Sequence, residues 1–138
     1  MTEIKLGIAG LGTVAQGVLE LIRRNNALMR QRRGVSLRVV RVASRRARPE
    51  IDLHGAHFST DIEDLLTDPN VDMILELIGG DTAALDLIRR GLAANKPVVT
   101  ANKAILAEHG NELMAGRGRQ LLRFEAAVAG AIPIIQGL

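Results

Sequence analysis

"GIAGLGTVAQG" (residues 7–17) follows a short apolar run, residues 4–8, and opens a stretch of helical periodicity. Gly10 and Gly12 form G-x-G directly after a strand-like segment; Ala15 holds the third position of the pattern, and Gly17 follows. Each position has a physical reason. Gly10 permits a tight turn, Gly12 lets backbone approach a pyrophosphate, and a small residue at 15 lets helix and strand pack closely. The helix start then offers unpaired N–H groups and a partial positive charge, next to Thr13 and Val14. The plain alternative is a structural turn. The strand–turn–helix context at the start of a βαβ unit favours phosphate binding.

Working outward, apolar residues Val14, Val18, Leu21 and Ile22 recur at i, i+4, i+7 and i+8, a helix that runs to about Arg33 and stops at Gly34. "SLRVVRVAS" (36–44) reads as a second strand, and residues 45–60 look irregular. "TDIEDLLTDP" carries a capping signature at Thr60 or Asp61 and ends at Pro69. "VDMILELIGG" (71–80) is a third strand, followed by a helix capped by Asp81 or Thr82. "PVVTANK" (97–103), a helix from Ala104, "QLLRFEAAV" (120–128) and a final helix from "AIPIIQGL" complete the series. Strands alternating with helices predict an α/β fold: a Rossmann-type, doubly wound, mostly parallel sheet in three αβα layers, one domain over residues 1–138.

Composition sets the outer limits. Of 138 residues, 47% are apolar and 24% charged, as in soluble globular domains. Phe58 and Phe124 are the only phenyl or indole side chains, so Val, Ile, Leu, Ala and Met must build the core. Absence of cysteine excludes disulfides and thiolate metal sites. No apolar run reaches the ~18 residues of a membrane span. The first ten residues lack a signal-peptide layout, so the cytoplasm is the expected location and no membrane partner is expected. Charge is uneven: residues 1–48 hold eleven Lys/Arg against two Asp/Glu, and the remainder seven against thirteen. Such a block attracts nucleic acid in some proteins, but no stacking aromatics interleave these arginines. No nucleic-acid partner is expected.

The second strand's end points to the nucleotide. NAD sites carry an Asp or Glu there, on the ribose 2′-hydroxyl. Here the segment reads "VASRRAR": Ser44 and Arg45, with Arg46 beside them, suit a 2′-phosphate, so NADP(H) is expected over NAD(H). Solvated arginines are the alternative. Three further segments occupy strand ends, where doubly wound sheets bind ligands. "ELIGG" supplies Gly79 and Gly80 for close approach, and Glu76, a carboxylate that needs partners in an apolar strand. "TANK" places Lys103 at a helix start, where a cation gains nothing from the macrodipole; a functional lysine and a merely solvated one both remain open. "EAAVAGAIP" offers Glu125 and small residues for a turn beside a ligand or a cation.

Together, "GIAGLGTVAQGV", "VVRVASR", "ELIGG", "KPVVTANKAILAEHG" and "FEAAVAGAIPII" resemble the cofactor-binding domain of homoserine dehydrogenase, from Ile4 to the last residue. The resemblance implies NAD(P)-dependent interconversion of L-homoserine and L-aspartate 4-semialdehyde, on the branch towards threonine, methionine and isoleucine. It implies that Lys103 orients or protonates the substrate oxygen and that Thr100 and Asn102 line the nicotinamide ribose side. Gly79 and Gly80 match the loop passing the cofactor. Glu125, Val128 and Gly130 match a turn associated with a monovalent cation, Na+ or K+. Ala15 stands where the family often has glycine, and Ala131 where "GGIP" is common. By this resemblance the catalytic and dimerisation domain is absent from these 138 residues, and the parent enzyme is a homo-oligomer. A stand-alone NADP-binding regulatory module is the alternative from another class.

Overall fold

The computed structural model describes residues 2–79, 82–116 and 118–124. Its elements are β1 (Thr2–Ala9), α1 (Thr13–Arg33), β2 (Val35–Ala43), β3 (His57–Ser59), α2 (Glu63–Thr67), β4 (Met73–Glu76), α3 (Thr82–Ala93), β5 (Val98–Thr100), α4 (Lys103–Leu113), α5 (Gly118–Leu121) and β6 (Leu122–Phe124). The six strands form one sheet in the order β3-β2-β1-β4-β5-β6, and every pairing is parallel. The chain winds outward from β1 in one direction, then returns and winds outward in the other. The switch point lies between β1 and β4, where such sheets leave a crevice beyond their carboxyl ends.

Strand alternation sorts the core into two clusters. Leu6, Ile8, Leu75 and Val99 share one face with Ala15, Val18, Leu19 and Ile22 of α1. Ala9, Ile74 and Val98 share the other with Leu65 of α2, Leu87 and Ile88 of α3, and Ile105 of α4. Each fully buried Leu or Ile contributes roughly 1.5–3 kcal/mol. Among the described residues the central strands are covered on both faces, as parallel sheets require. The register of β1 against β2 slips between Leu6 and Gly7, which leaves Val40 as the extra residue. That slip keeps Val42 on the face of Leu37 and Val39, despite the odd spacing.

Most elements lie where the sequence places them. α1 spans the expected residues and ends at Gly34, left-handed at φ 66, whose N–H donates to the Arg30 carbonyl. Four details differ. The expected irregular stretch contains β3, a three-residue strand too short to show a period of two. Ile51, Leu53 and Ala56 before it pack against the core cluster on the α1 face, so the stretch is tied down without a helix. The N-cap of α2 is Ile62, one residue past Asp61 and two past Thr60, although the Asp61 carboxylate does accept from the Glu63 N–H at 2.9 Å. Finally, α5 interrupts the approach to β6. The expected caps Asp81 and the final helix lie outside the described residues.

Candidate functional site

The glycine loop connects β1 to α1 at the switch point. Gly10 adopts φ +106, and a Cβ there would stand 2.6 Å from the Leu77 carbonyl oxygen. The loop after β1 and the loop after β4 therefore touch backbone to backbone, and only glycine fits. The Gly10 N–H donates to the Ala43 carbonyl at 2.8 Å, which ties the same loop to the end of β2. Gly12 is different. It caps α1 in an extended conformation with no side-chain hydrogen bond, and a Cβ there meets nothing within 4 Å. Among the described residues, no packing contact demands glycine at 12. Open space at this backbone leaves room for an external group to approach it.

α1 opens with no acidic residue in its first turn, so no carboxylate competes for its N-terminal N–H groups. Ala15 is 0% exposed and lets the helix lie close to the sheet. Val14 departs from the helical stripe that periodicity assigns it: it is 50% exposed, and the buried stripe begins at Ala15. With Thr13, also exposed, it lines the open side of the glycine loop. These features fit the pyrophosphate of a dinucleotide.

Beyond β2, Ser44 is half-buried and its N–H donates to the Ser59 carbonyl at 3.0 Å. Arg45 and Arg46 are exposed, and no carboxylate occupies the strand end. Arg48, not singled out in the sequence, reaches back so that Nη1 donates to the Leu11 carbonyl at 3.2 Å while Nε pairs with Glu50. The segment after β2 is thereby latched onto the glycine loop. A contact spanning 37 residues leaves no local signal in the sequence.

The ends of β4 and β5 carry the second half. Glu76 is 0% exposed and Thr100 1% exposed; they are register neighbours across the parallel ladder. The Thr100 hydroxyl donates to Glu76 Oε2, and the Ile78 N–H donates to Glu76 Oε1 at 2.9 Å. Thr100 Oγ1 in turn accepts from the Asn102 N–H at 3.0 Å. Burial pushes the Glu76 carboxyl above the usual carboxylate range, against the two hydrogen bonds, which act in the opposite direction. Asn102 then caps α4, its Oδ1 accepting from the Ile105 N–H at 3.1 Å. Lys103, exposed, is the first residue of that helix. Gly79 follows β4 in open space. Gly80, Glu125, Val128 and Gly130 lie outside the described residues.

The structure thus brings Gly10, Gly12, Thr13, Val14, Ser44 and Arg45 to one side of the crevice, and Gly79, Asn102 and Lys103 to the other; Thr100, expected to line the nicotinamide ribose, is instead buried with its hydroxyl on Glu76 and the Asn102 N–H. A separate cavity of about 440 Å³ lies against the middle of β2, short of these strand ends; its Arg41 is committed to Asp68 at 2.9 Å.

Strand order, the glycine turn and the open helix start define a dinucleotide-binding domain of the Rossmann class. Comparison with known proteins narrows this. The family described as "Homoserine dehydrogenase, NAD binding domain" matches residues 10–121. The homoserine dehydrogenase of Pseudomonas aeruginosa is 41% identical over all of this chain, and that of Bacillus subtilis 36% identical over all of it. Among solved structures, a homoserine dehydrogenase from Thiobacillus denitrificans is 42% identical and superposes with a TM-score of 0.82 over 98% of this chain. That of S. aureus gives a TM-score of 0.81 at 32% identity over 94% of this chain. The chain belongs to the homoserine dehydrogenase family and corresponds to its NAD-binding domain. It spans about a third of the length of these relatives: 32% and 33% of the two sequences, and 32% and 33% of the two structures.

Proposed function

We propose that this chain is the NADP(H)-binding part of a cytoplasmic, homo-oligomeric enzyme that interconverts L-homoserine and L-aspartate 4-semialdehyde. The observation that carries the reading is the meeting of the glycine loop with the β4 exit at the switch point, through Gly10 and Leu77, in a chain similar throughout to homoserine dehydrogenases. Gly10, Gly12, Thr13 and Val14 cradle the pyrophosphate. Ser44 and Arg45 receive the 2′-phosphate. Gly79 and Asn102, with Gly80 by family resemblance, border the nicotinamide ribose, and Thr100, buried with its hydroxyl on Glu76, supports that border without touching the cofactor. Lys103, exposed at the α4 start, orients or protonates the substrate oxygen. When bound, the nicotinamide carries hydride to or from the substrate carbon. A monovalent cation at Glu125, Val128 and Gly130 rests on family resemblance alone.

The 138 residues correspond to the NAD-binding part of the relatives they match, so binding of NADPH is the property they are expected to show. Calorimetric titration with NADPH and, separately, NADH tests the reading; the lack of Trp removes the usual fluorescence assay. Saturable binding with NADPH tighter is expected. Arg45→Ala removes one charge-assisted contact and weakens NADPH by about tenfold, while NADH changes little. Equal loss for both cofactors would refute the assignment of Arg45.

A further inference from the structure

Glu76 and Thr100 bury a carboxylate and a hydroxyl beneath the cofactor half of the crevice, and neither side chain reaches solvent. The two carboxylate oxygens do different work. Oε1 holds the loop after β4 through the Ile78 N–H. Oε2 accepts from Thr100, whose own oxygen holds the loop after β5 through the Asn102 N–H. Asn102 caps the helix that begins with Lys103. A continuous path of four hydrogen bonds thus runs from Ile78 to the α4 start, with the carboxylate joining the two loops through side chains, beside the Ala101 N–H that donates to the Glu76 carbonyl at 3.5 Å.

We infer that Glu76 and Thr100 act as a positioning pair that locks the loops after β4 and β5 to one another and so sets the seat of the nicotinamide half of the dinucleotide. The inference rests on the dinucleotide-binding reading above. Neither side chain needs to touch the cofactor. The chemistry explains why a carboxyl side chain stands at a wholly buried position. A carboxylate accepts at both oxygens, whereas an amide of the same shape accepts at one and donates at the other. Leu or Val at 76 would pack without any desolvation cost, but would leave Ile78 and Thr100 without their acceptors.

Four variants test this in the 138-residue chain: Glu76→Gln, Thr100→Val, the double Glu76→Gln/Thr100→Val, and Thr100→Ser. The probes are NADPH and 2′,5′-ADP, which carries the adenosine side alone. Glu76→Gln and Thr100→Val should each weaken NADPH by about tenfold, the scale of one charge-assisted hydrogen bond, and leave 2′,5′-ADP within about twofold. The double variant should be no worse than either single, since both break the same path. Thr100→Ser keeps the hydroxyl and should bind normally. A general loss of structure would weaken both probes equally and would overturn the inference. So would an effect of Thr100→Val without one of Glu76→Gln, because that outcome marks a direct cofactor contact by the hydroxyl. Amide hydrogen exchange in the cofactor-free chain gives an independent readout. Exchange at Ile78 and Asn102 should accelerate in Glu76→Gln and Thr100→Val and not at Gly10; unchanged exchange overturns the coupling. Failure of the unaltered chain to bind NADPH would instead count against the dinucleotide reading, and the exchange data would still decide the coupling.

Discussion

Gly10 and Gly12 stand two residues apart, and the structure predicts opposite consequences for replacing them by alanine. At Gly10 an alanine must adopt φ +106, a region costing L-residues about 1–2 kcal/mol. Its Cβ also meets backbone, the Leu77 carbonyl oxygen at 2.6 Å and carbon at 2.9 Å, so the two loops must part. Overpacking of that kind costs roughly 1–3 kcal/mol. Together the loss is about 2–5 kcal/mol, a large share of the ~5–15 kcal/mol that stabilises a typical domain. In a chain of this size each kcal/mol shifts Tm by about 3–4 °C, so Gly10→Ala should melt about 6–20 °C lower. At Gly12 the backbone is already extended and the Cβ meets nothing. Alanine is a poorer helix cap than glycine by several tenths of a kcal/mol, which its lower unfolded-state entropy offsets by about 0.4–1 kcal/mol. Gly12→Ala should therefore melt within about 2 °C of the parent, while NADPH binding falls by at least about tenfold as the new methyl crowds the pyrophosphate. Circular dichroism at 222 nm follows the melts, and calorimetry follows the binding. A Gly10→Ala chain as stable as the parent, or a Gly12→Ala chain that binds NADPH normally, would refute the reasoning.

Two further outcomes follow from groups away from the crevice. Lys96 Nζ donates to the carbonyls of Asp68 at 2.7 Å and Val71 at 2.9 Å, fastening the turn between α2 and β4; Lys96→Met should cost about 1.5–3 kcal/mol in urea denaturation, and a loss below about 0.5 kcal/mol would contradict this. The Asp68 carboxyl is held below its ordinary range by the Asn70 N–H and then by Arg41. A depressed acid stabilises the fold above its unfolded value of about 3.9 and loses that contribution as pH falls through its folded value. Stability should therefore drop on acidification below about pH 4, and Asp68→Asn should flatten the drop; an unchanged slope would count against the pairing.

The legible parts of this fold are those with local periodicity or local turn chemistry. The 21-residue α1, its stop at Gly34 and the long β2 follow from spacing alone. The glycine loop is legible as a turn between β1 and α1, whereas the contact that requires glycine at 10, the Leu77 carbonyl, lies far along the chain and leaves no local signal. β3 was not readable, since three residues carry no period and their pairing with Arg41–Ala43 is set by distant β2. Val14 fits the helical stripe, yet it sits one residue ahead of where α1 meets the sheet and is exposed. Glu76 drew attention as a carboxylate in an apolar strand, but its partner Thr100 lies 24 residues away and emerges only when β4 and β5 align. Thr100, expected to line the nicotinamide ribose, has its hydroxyl engaged inside the protein with Glu76 and Asn102.

Mapping NADPH onto the folded chain by backbone amide chemical shifts tests the central claim most directly. The account predicts shifts concentrated at Gly10, Gly12, Thr13, Val14, Ser44, Arg45, Gly79 and Asn102, with Lys5, Asp72, Asn95 and Lys96 at the opposite ends of the strands unmoved. Shifts centred on that opposite end, or none at saturating NADPH in a chain shown to be folded, would contradict it.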